Sequence, residues 1–293
     1  MAPWPPRMSL PPARRFDWSN LGRRVVSAAI LVPVALGAVL GGEVFAALPS
    51  AWESLPYLLL IALAVVLLAL EWGGMSAPRA PRRVAVAVMV AVMGTGLLGA
   101  TDHYVFAWLS ILLGLALAGL VARAVGEQRP ENAALGVLYI APACLGLIWL
   151  RSTNQGPWWT LMLFCVTWAA DIAAFAVGSV LKGPKLWPRF SPNKTWSGFI
   201  GGLAASMAVG ALMSVSPWFE LNLWAAALIG LAVGLATMAG DLWESMLKRR
   251  FGVKDSGDLI PGHGGLLDRV DGLIFAVVVM AMLRFANHLG WGH

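Results

Sequence analysis

The sequence predicts an all-α fold: a polytopic membrane helix bundle of about nine transmembrane helices with a cytoplasmic N-terminus. Three observations lead there. The 293-residue chain is 59% hydrophobic and only 12% charged, whereas soluble domains carry about 25% charged residues. Its apolar runs repeatedly reach the roughly 20 residues needed to cross a bilayer. Its basic residues also alternate between successive loops, the bias that sets membrane orientation.

Taken in order, the apolar runs are 25–42, 54–70, 84–101, 104–122, 133–150, 157–181, 198–215, 222–247 and 271–288. The first exceeds the 7–15 apolar residues of a typical signal peptide and is followed by further spans, so it reads as an uncleaved helix. Arg7, Arg14, Arg15, Arg23 and Arg24 precede or open it. Arg79, Arg82 and Arg83 separate the second span from the third, and Arg123 and Arg129 the fourth from the fifth. Lys182, Lys185, Arg189 and Lys194 follow the sixth; Lys248, Arg249, Arg250, Lys254 and Arg269 lie between the eighth and the ninth. With the N-terminus inside, 19 of the 21 Lys and Arg residues are cytoplasmic, leaving only Arg151 outside and Arg284 in the last span. The net charge of +6 is therefore a topology signal, and no nucleic-acid partner is expected.

Cys144 and Cys165 fall inside spans without metal-ligand spacing and read as small apolar fillers. Asn193-Lys194-Thr195 matches a glycosylation acceptor but lies on the cytoplasmic side. Small-xxx-small pairs at Gly37/Gly41, Gly198/Gly202 and Gly230/Gly234 permit close helix contact, within the chain or across a homodimer.

The chain divides into residues 1–156, about five spans forming a scaffold and a lipid-facing part, and residues 157–293, the expected catalytic part. In the first, Glu43, Glu53, Glu71, Asp102, Glu127 and Glu131 stand at span ends and read as solvated loop charges. The second has the long loops 182–197 and 248–270, with Asp171 inside a span and Asp241 and Glu244 late in another. Intramembrane carboxylates are costly and mark functional interiors. Asp171 lies ten residues before Leu181, about 15 Å from the cytoplasmic end at helical rise.

Loop 182–197 places Ser191 and Thr195 around Lys194 just before a new helix, where free backbone N–H groups favour phosphate. It is not a P-loop: Pro184 follows Gly183 where Lys-Ser/Thr is required. Asp241, Glu244 and Ser245 share one helix face, and Asp268 and Asp271 another. Opposed, these faces offer oxygen donors alone, which suit a hard cation such as Mg²⁺; no Cys/His cluster suggests zinc. Pro261-Gly262-His263-Gly264-Gly265 supplies a bare backbone of the kind that holds anions.

The run from Ser245 to Asp271 resembles the signature of phosphatidate cytidylyltransferases (CDP-diacylglycerol synthases). Ser245, Lys248-Arg249, Lys254-Asp255, His263-Gly264-Gly265 and Asp268-Arg269-Val270-Asp271 match it with spacing intact. The likeness extends back through Asp241 and Ser191-Pro192-Asn193-Lys194-Thr195-Trp196 to Asp171 and thins before about residue 150. Ser197 and Ser179 depart from the family pattern, which commonly has Glu and Arg there.

The resemblance implies that CTP and phosphatidate give CDP-diacylglycerol and pyrophosphate in phospholipid biosynthesis. It implies Asp241, Asp268 and Asp271 as Mg²⁺ ligands, beside a second cation such as K⁺. Lys194, Lys248, Arg249 and Arg269 would hold phosphates and His263 would orient phosphate or carry a proton. Ser191, Thr195, Ser245, Lys254, Asp255, Gly264, Gly265 and Asp171 would complete the substrate site. The expected setting is a bacterial cytoplasmic (inner) membrane, among its lipids, with the site facing the cytoplasm. Two alternatives stay open: a nucleotidyltransferase or kinase acting on another lipid such as a polyprenyl phosphate, and a transporter. No internal repeat favours the transporter.

Overall fold

Nine helices and one short hairpin make up the described part of the protein, a computed structural model covering residues 29, 32–41, 54–219, 221–257 and 264–287. The helices are α1 (Val32–Gly41), α2 (Leu55–Ser76), α3 (Pro81–Ala100), α4 (Tyr104–Ala124), α5 (Glu131–Ser152), α6 (Gly156–Leu181), α7 (Trp196–Met213), α8 (Leu223–Phe251) and α9 (Leu267–Ala286). Seven of them, α2 to α8, are long and apolar enough to cross a membrane. The 20-residue α9 carries Asp268, Arg269 and Asp271 at one end and Arg284 at the other. The expected first span is described only over α1.

The outward-facing side chains are those of a bilayer-embedded protein. On α4, Val105, Phe106, Leu112, Leu113 and Leu120 are all more than 60% exposed. In water this would be a large unpartnered apolar patch; against lipid it costs nothing. With no hydrophobic drive between helices in lipid, association relies on close packing of small residues. Gly198 and Gly202 lie against the Ala174 and Ala170 carbonyls of α6, and Gly230 against the Ser206 carbonyl of α7. Two of the three small-residue pairs are thus used inside the chain.

Helix α5 joins α2, α3 and α4 on one side to α6 and α9 on the other, while α6, α7, α8 and α9 pack among themselves. Polar contacts tie the helix ends at two levels. At one end, Arg250 Nη2 donates to Asn132 Oδ1 (2.8 Å), Trp72 Nε1 donates to the Asn132 carbonyl (2.9 Å), and the Arg79 and Ala80 amides donate to Glu127. At the other, Arg284 donates to the Asn154 carbonyl and the Tyr104 and Ser152 hydroxyls pair. The C-termini of α2, α4, α6 and α8 therefore share an end with the N-termini of α3, α5, α7 and α9.

Two differences from the apolar pattern bear on the site. The loop after the sixth span is no irregular strand of charges. Lys185–Trp187 (β1) and Ser191–Thr195 (β2) form an antiparallel hairpin pairing Lys185 with Thr195 and Trp187 with Ser191. Helices α2 and α8 also outrun their apolar stretches, ending at Ser76 and Phe251. Glu71 thereby lies within a helix and not in a loop.

The α7–α8 contact is the tightest test of this packing. A side chain at Gly230 would collide with the Ser206 carbonyl, whereas Gly94 has nothing within 4 Å. Gly230→Val is expected to lower stability by about 3 kcal/mol or more, the upper range for overpacking, and Gly94→Val to have little effect. Melting temperature and monodisperse yield in detergent distinguish them.

Candidate active site

The N-terminus of α9 shows how the polar end is assembled. A helix start leaves backbone N–H groups without intrahelical partners, and two carboxylates take them here. Glu71 accepts from Leu266 N and Leu267 N, both at 2.7 Å, and from the Ser256 hydroxyl at 3.3 Å. Asp268 Oδ2 accepts from Gly265 N and Ser256 N at 3.1 Å. Gly264 sits at φ +80°, a left-handed conformation that costs a glycine little. At Gly265 a β-carbon would strike Ser256 Oγ, so both glycines suit the approach to α9. Glu71 is 5% exposed, and its reading as a solvated loop charge is overturned. The available signal was its position at the end of an apolar run, but which backbone it would meet is a tertiary fact.

The two carboxylate faces of α8 and α9 do oppose each other. Gly240 lies against the Asp271 carbonyl and Gly272, and Gly272 lies against Thr237. This approach brings the neighbouring Asp241 and Asp271 to the same level. Lys248 Nζ sits between Glu244 Oε2 (2.7 Å) and Asp268 Oδ1 (2.6 Å). Lys194, on β2, pairs with Asp241. Asp271 feels the charges of Asp241, Glu244 and Asp171, and Asp171 those of Asp241, Lys194 and Arg269. Five carboxylates from three helices thus share one region at the polar end, with Lys194, Lys248 and Arg269 as countercharges.

The remaining predicted residues divide by surroundings. Thr195 is buried and caps α7, its Oγ1 accepting from Gly198 N at 3.1 Å. It contributes to the helix start, and Ser191 lies in the hairpin. Ser197, one of the two departures, bonds to Thr195 Oγ1 and accepts from Gly183 N, pinning the loop to α7; Ser179 bonds within α6 to the Ala176 carbonyl. Ser245 is half-buried on α8, while Arg249, Lys254, Asp255 and Arg269 are exposed. His263 lies outside the described residues.

Oxygen donors alone, close together and in excess of their countercharges, fit a hard divalent cation. Asp241 and Asp271 have the placement for it. Asp268, the expected third ligand, accepts from Lys248 and from two backbone N–H groups. Among the described residues no three such side chains already converge as a formed metal site.

Residues 22–286 match the model of a family described as "Cytidylyltransferase family". Over 265 residues the chain is 37% identical to a phosphatidate cytidylyltransferase of Brucella suis, covering 89% of this chain and 92% of the relative. It is 35% identical over 282 residues to one of Pseudomonas aeruginosa, covering 93% and 99%. A Staphylococcus saprophyticus relative of the same name is 40% identical over 153 residues, 52% of this chain and 59% of the relative.

The α9 clasp yields a direct test. Glu71→Ala strips partners from two buried N–H groups and a hydroxyl, and is expected to cost about 3 kcal/mol or more, seen as a lowered melting temperature in detergent. Glu71→Gln retains one acceptor oxygen and should fall between. Melting curves superimposable on wild type would restore the surface-charge reading.

Proposed function

The chain belongs to the cytidylyltransferase family, and we infer from the site it carries that it transfers CMP from CTP to phosphatidate, giving CDP-diacylglycerol and pyrophosphate. The observation that carries this reading is the meeting of Asp171, Asp241 and Asp271 with Lys194 and Arg269 at the polar end of a membrane bundle. A lipid phosphate and a nucleotide can meet there, one from the bilayer and one from water.

The chemistry asks little of a general base. A phosphomonoester has a second pKa of about 6, as in phosphoserine, so its oxygen is already nucleophilic near neutral pH. That oxygen bonds to the α-phosphorus of CTP as the bond to the bridging oxygen of the β-phosphate breaks, and pyrophosphate leaves. The difficulty is to align two polyanions and stabilise the leaving group, which fixed positive charges accomplish. Asp241 and Asp271 would hold Mg²⁺, which supplies charge neutralisation when bound; a neighbouring K⁺ is the second cation of this reading.

Lys194 is the phosphate clamp best placed to respond to substrate. The side chains of its pair with Asp241 are 23% and 32% exposed, while the ammonium nitrogen itself points inward and is buried. An arriving phosphate can take the ammonium and so release the Asp241 carboxylate, which would hold the cation. Lys248 is more enclosed, at 14% exposure, and serves first to hold α8 to α9. Arg249, Lys254 and Arg269 line the approach for CTP. His263, adjacent to Gly264, keeps its proposed role of orienting phosphate. The reading sets the chain in a bacterial inner membrane with this end in the cytoplasm, where CTP is made and where the basic loops place it.

Two experiments test these statements. Membranes containing the protein should incorporate radiolabelled CTP into lipid with phosphatidate, and not with polyprenyl phosphate; the reverse preference would give the activity to another lipid class. Asp241→Asn and Asp271→Asn should each lose at least about 10–100-fold in activity and need more Mg²⁺, while Asp102→Asn, at the opposite end, stays near wild type. Equal activity in all three refutes the cation site.

Orientation is checked separately. With Cys144 and Cys165 replaced, a cysteine at Ser216 should react with an impermeant thiol reagent on intact cells. One at the exposed Gln128 should react only after lysis. Labelling of the Gln128 position on intact cells would turn the site away from CTP.

A further inference from the structure

Tyr139 stands in the half of the chain where the family signature has no residues. It lies on α5, two turns from the polar end, and is 6% exposed. Its ring is held between Trp72 of α2 (5.6 Å between centroids) and Phe275 of α9 (6.2 Å). Phe275 follows Asp271 by one helical turn, on the same face, and packs in turn on Trp243, the neighbour of Glu244. The ring thus packs on α9 one helical turn from Asp271. Its hydroxyl has no hydrogen-bond partner among the described residues. The charges that act on it most are those of Asp271, Glu244 and Asp241, in that order.

Packing alone does not account for a tyrosine here. Phenylalanine would fill the same space between Trp72 and Phe275 and would bury no polar atom. An unpaired buried hydroxyl is destabilising and is normally found with a partner. The charges that act on it belong to carboxylates, which accept hydrogen bonds when ionised. A donor delivered from α5 complements them, and it is a neutral one that adds no competing cation.

We propose that Tyr139 is a positioning residue of this site: its hydroxyl donates to the Asp271 carboxylate in the working state and aims the other oxygen of that carboxylate at the bound cation. Such support behind a metal ligand orients it and raises its affinity. The inference rests on the reading of Asp241 and Asp271 as cation ligands, and makes α5 part of the catalytic apparatus and not only of the scaffold.

Tyr139→Phe isolates the hydroxyl. The expected result is a melting temperature in detergent equal to or above wild type, because the unpaired group is gone. Turnover per folded protein should fall about tenfold, the scale of one hydrogen bond to a charged group, with a raised Mg²⁺ requirement and little change in KM for CTP. Mn²⁺ binding to the purified protein without nucleotide, followed by electron spin resonance, should weaken in Tyr139→Phe and be lost in Asp271→Asn. Wild-type turnover and Mn²⁺ binding in Tyr139→Phe overturn the inference. So does a loss of turnover that vanishes once activity is divided by folded protein. Absence of Mn²⁺ binding in wild type would instead strike the cation reading, and the turnover comparison would still decide the role of the hydroxyl.

Discussion

Every polar feature of the site depends on how the N-terminus of α9 is held inside an apolar bundle. Its first amides cannot stay unpaired in a medium that offers no water. Glu71 and Asp268 accept from Gly265, Leu266 and Leu267, and both also hold Ser256. One carboxylate comes from α2 and the other from α9 itself, so the clasp joins the two halves of the chain and closes the glycine loop onto the bundle. Negative charge at a helix N-terminus is favourable in its own right. With α9 fixed in this way, Asp271, three residues beyond Asp268, takes its depth without further adjustment.

The contact between Gly240 and Gly272 then sets the distance between the carboxylates of α8 and α9. A buried charge is tolerable only with a partner, and two lysines divide that task. Lys248 is enclosed between Glu244 and Asp268 and bridges the helices. Removing it would leave two carboxylates facing each other in low dielectric. Lys194 reaches Asp241 from the hairpin, where both side chains are more exposed than Lys248 and Glu244. The Lys248 bridge belongs to the architecture, and the Lys194 pair is the one proposed to respond to substrate.

Aromatic packing carries the same organisation into the N-terminal half. Trp72 packs at a tilt against Tyr139 and meets Phe251 edge-on, while its indole N–H reaches the Asn132 carbonyl. Gly136 leaves room for that indole. Neighbouring residues Glu71 and Trp72 thus hold α9 and support α5 from one turn of α2, which explains why a segment with few charges is nonetheless built around the acid cluster.

Hydropathy alone determined the membrane bundle and the order of its helices, because a spanning helix must satisfy its backbone internally and show apolar side chains to lipid. That requirement is local and is written in composition. The residue types and spacings from Asp171 to Asp271 likewise led to the proposed phosphate and cation chemistry, since helical periodicity puts Asp241 with Glu244 and Asp268 with Asp271 on common faces. Only the tertiary structure decided how each carboxylate is used. Glu71 looked like a solvated charge and proved to be a buried acceptor; Asp268 also holds Lys248 and the start of α9; Thr195 caps a helix. Tyr139 carried no signal at all. The reason is the same in each case: an acid or a hydroxyl takes its role from the donors that surround it, and those come from helices distant in sequence.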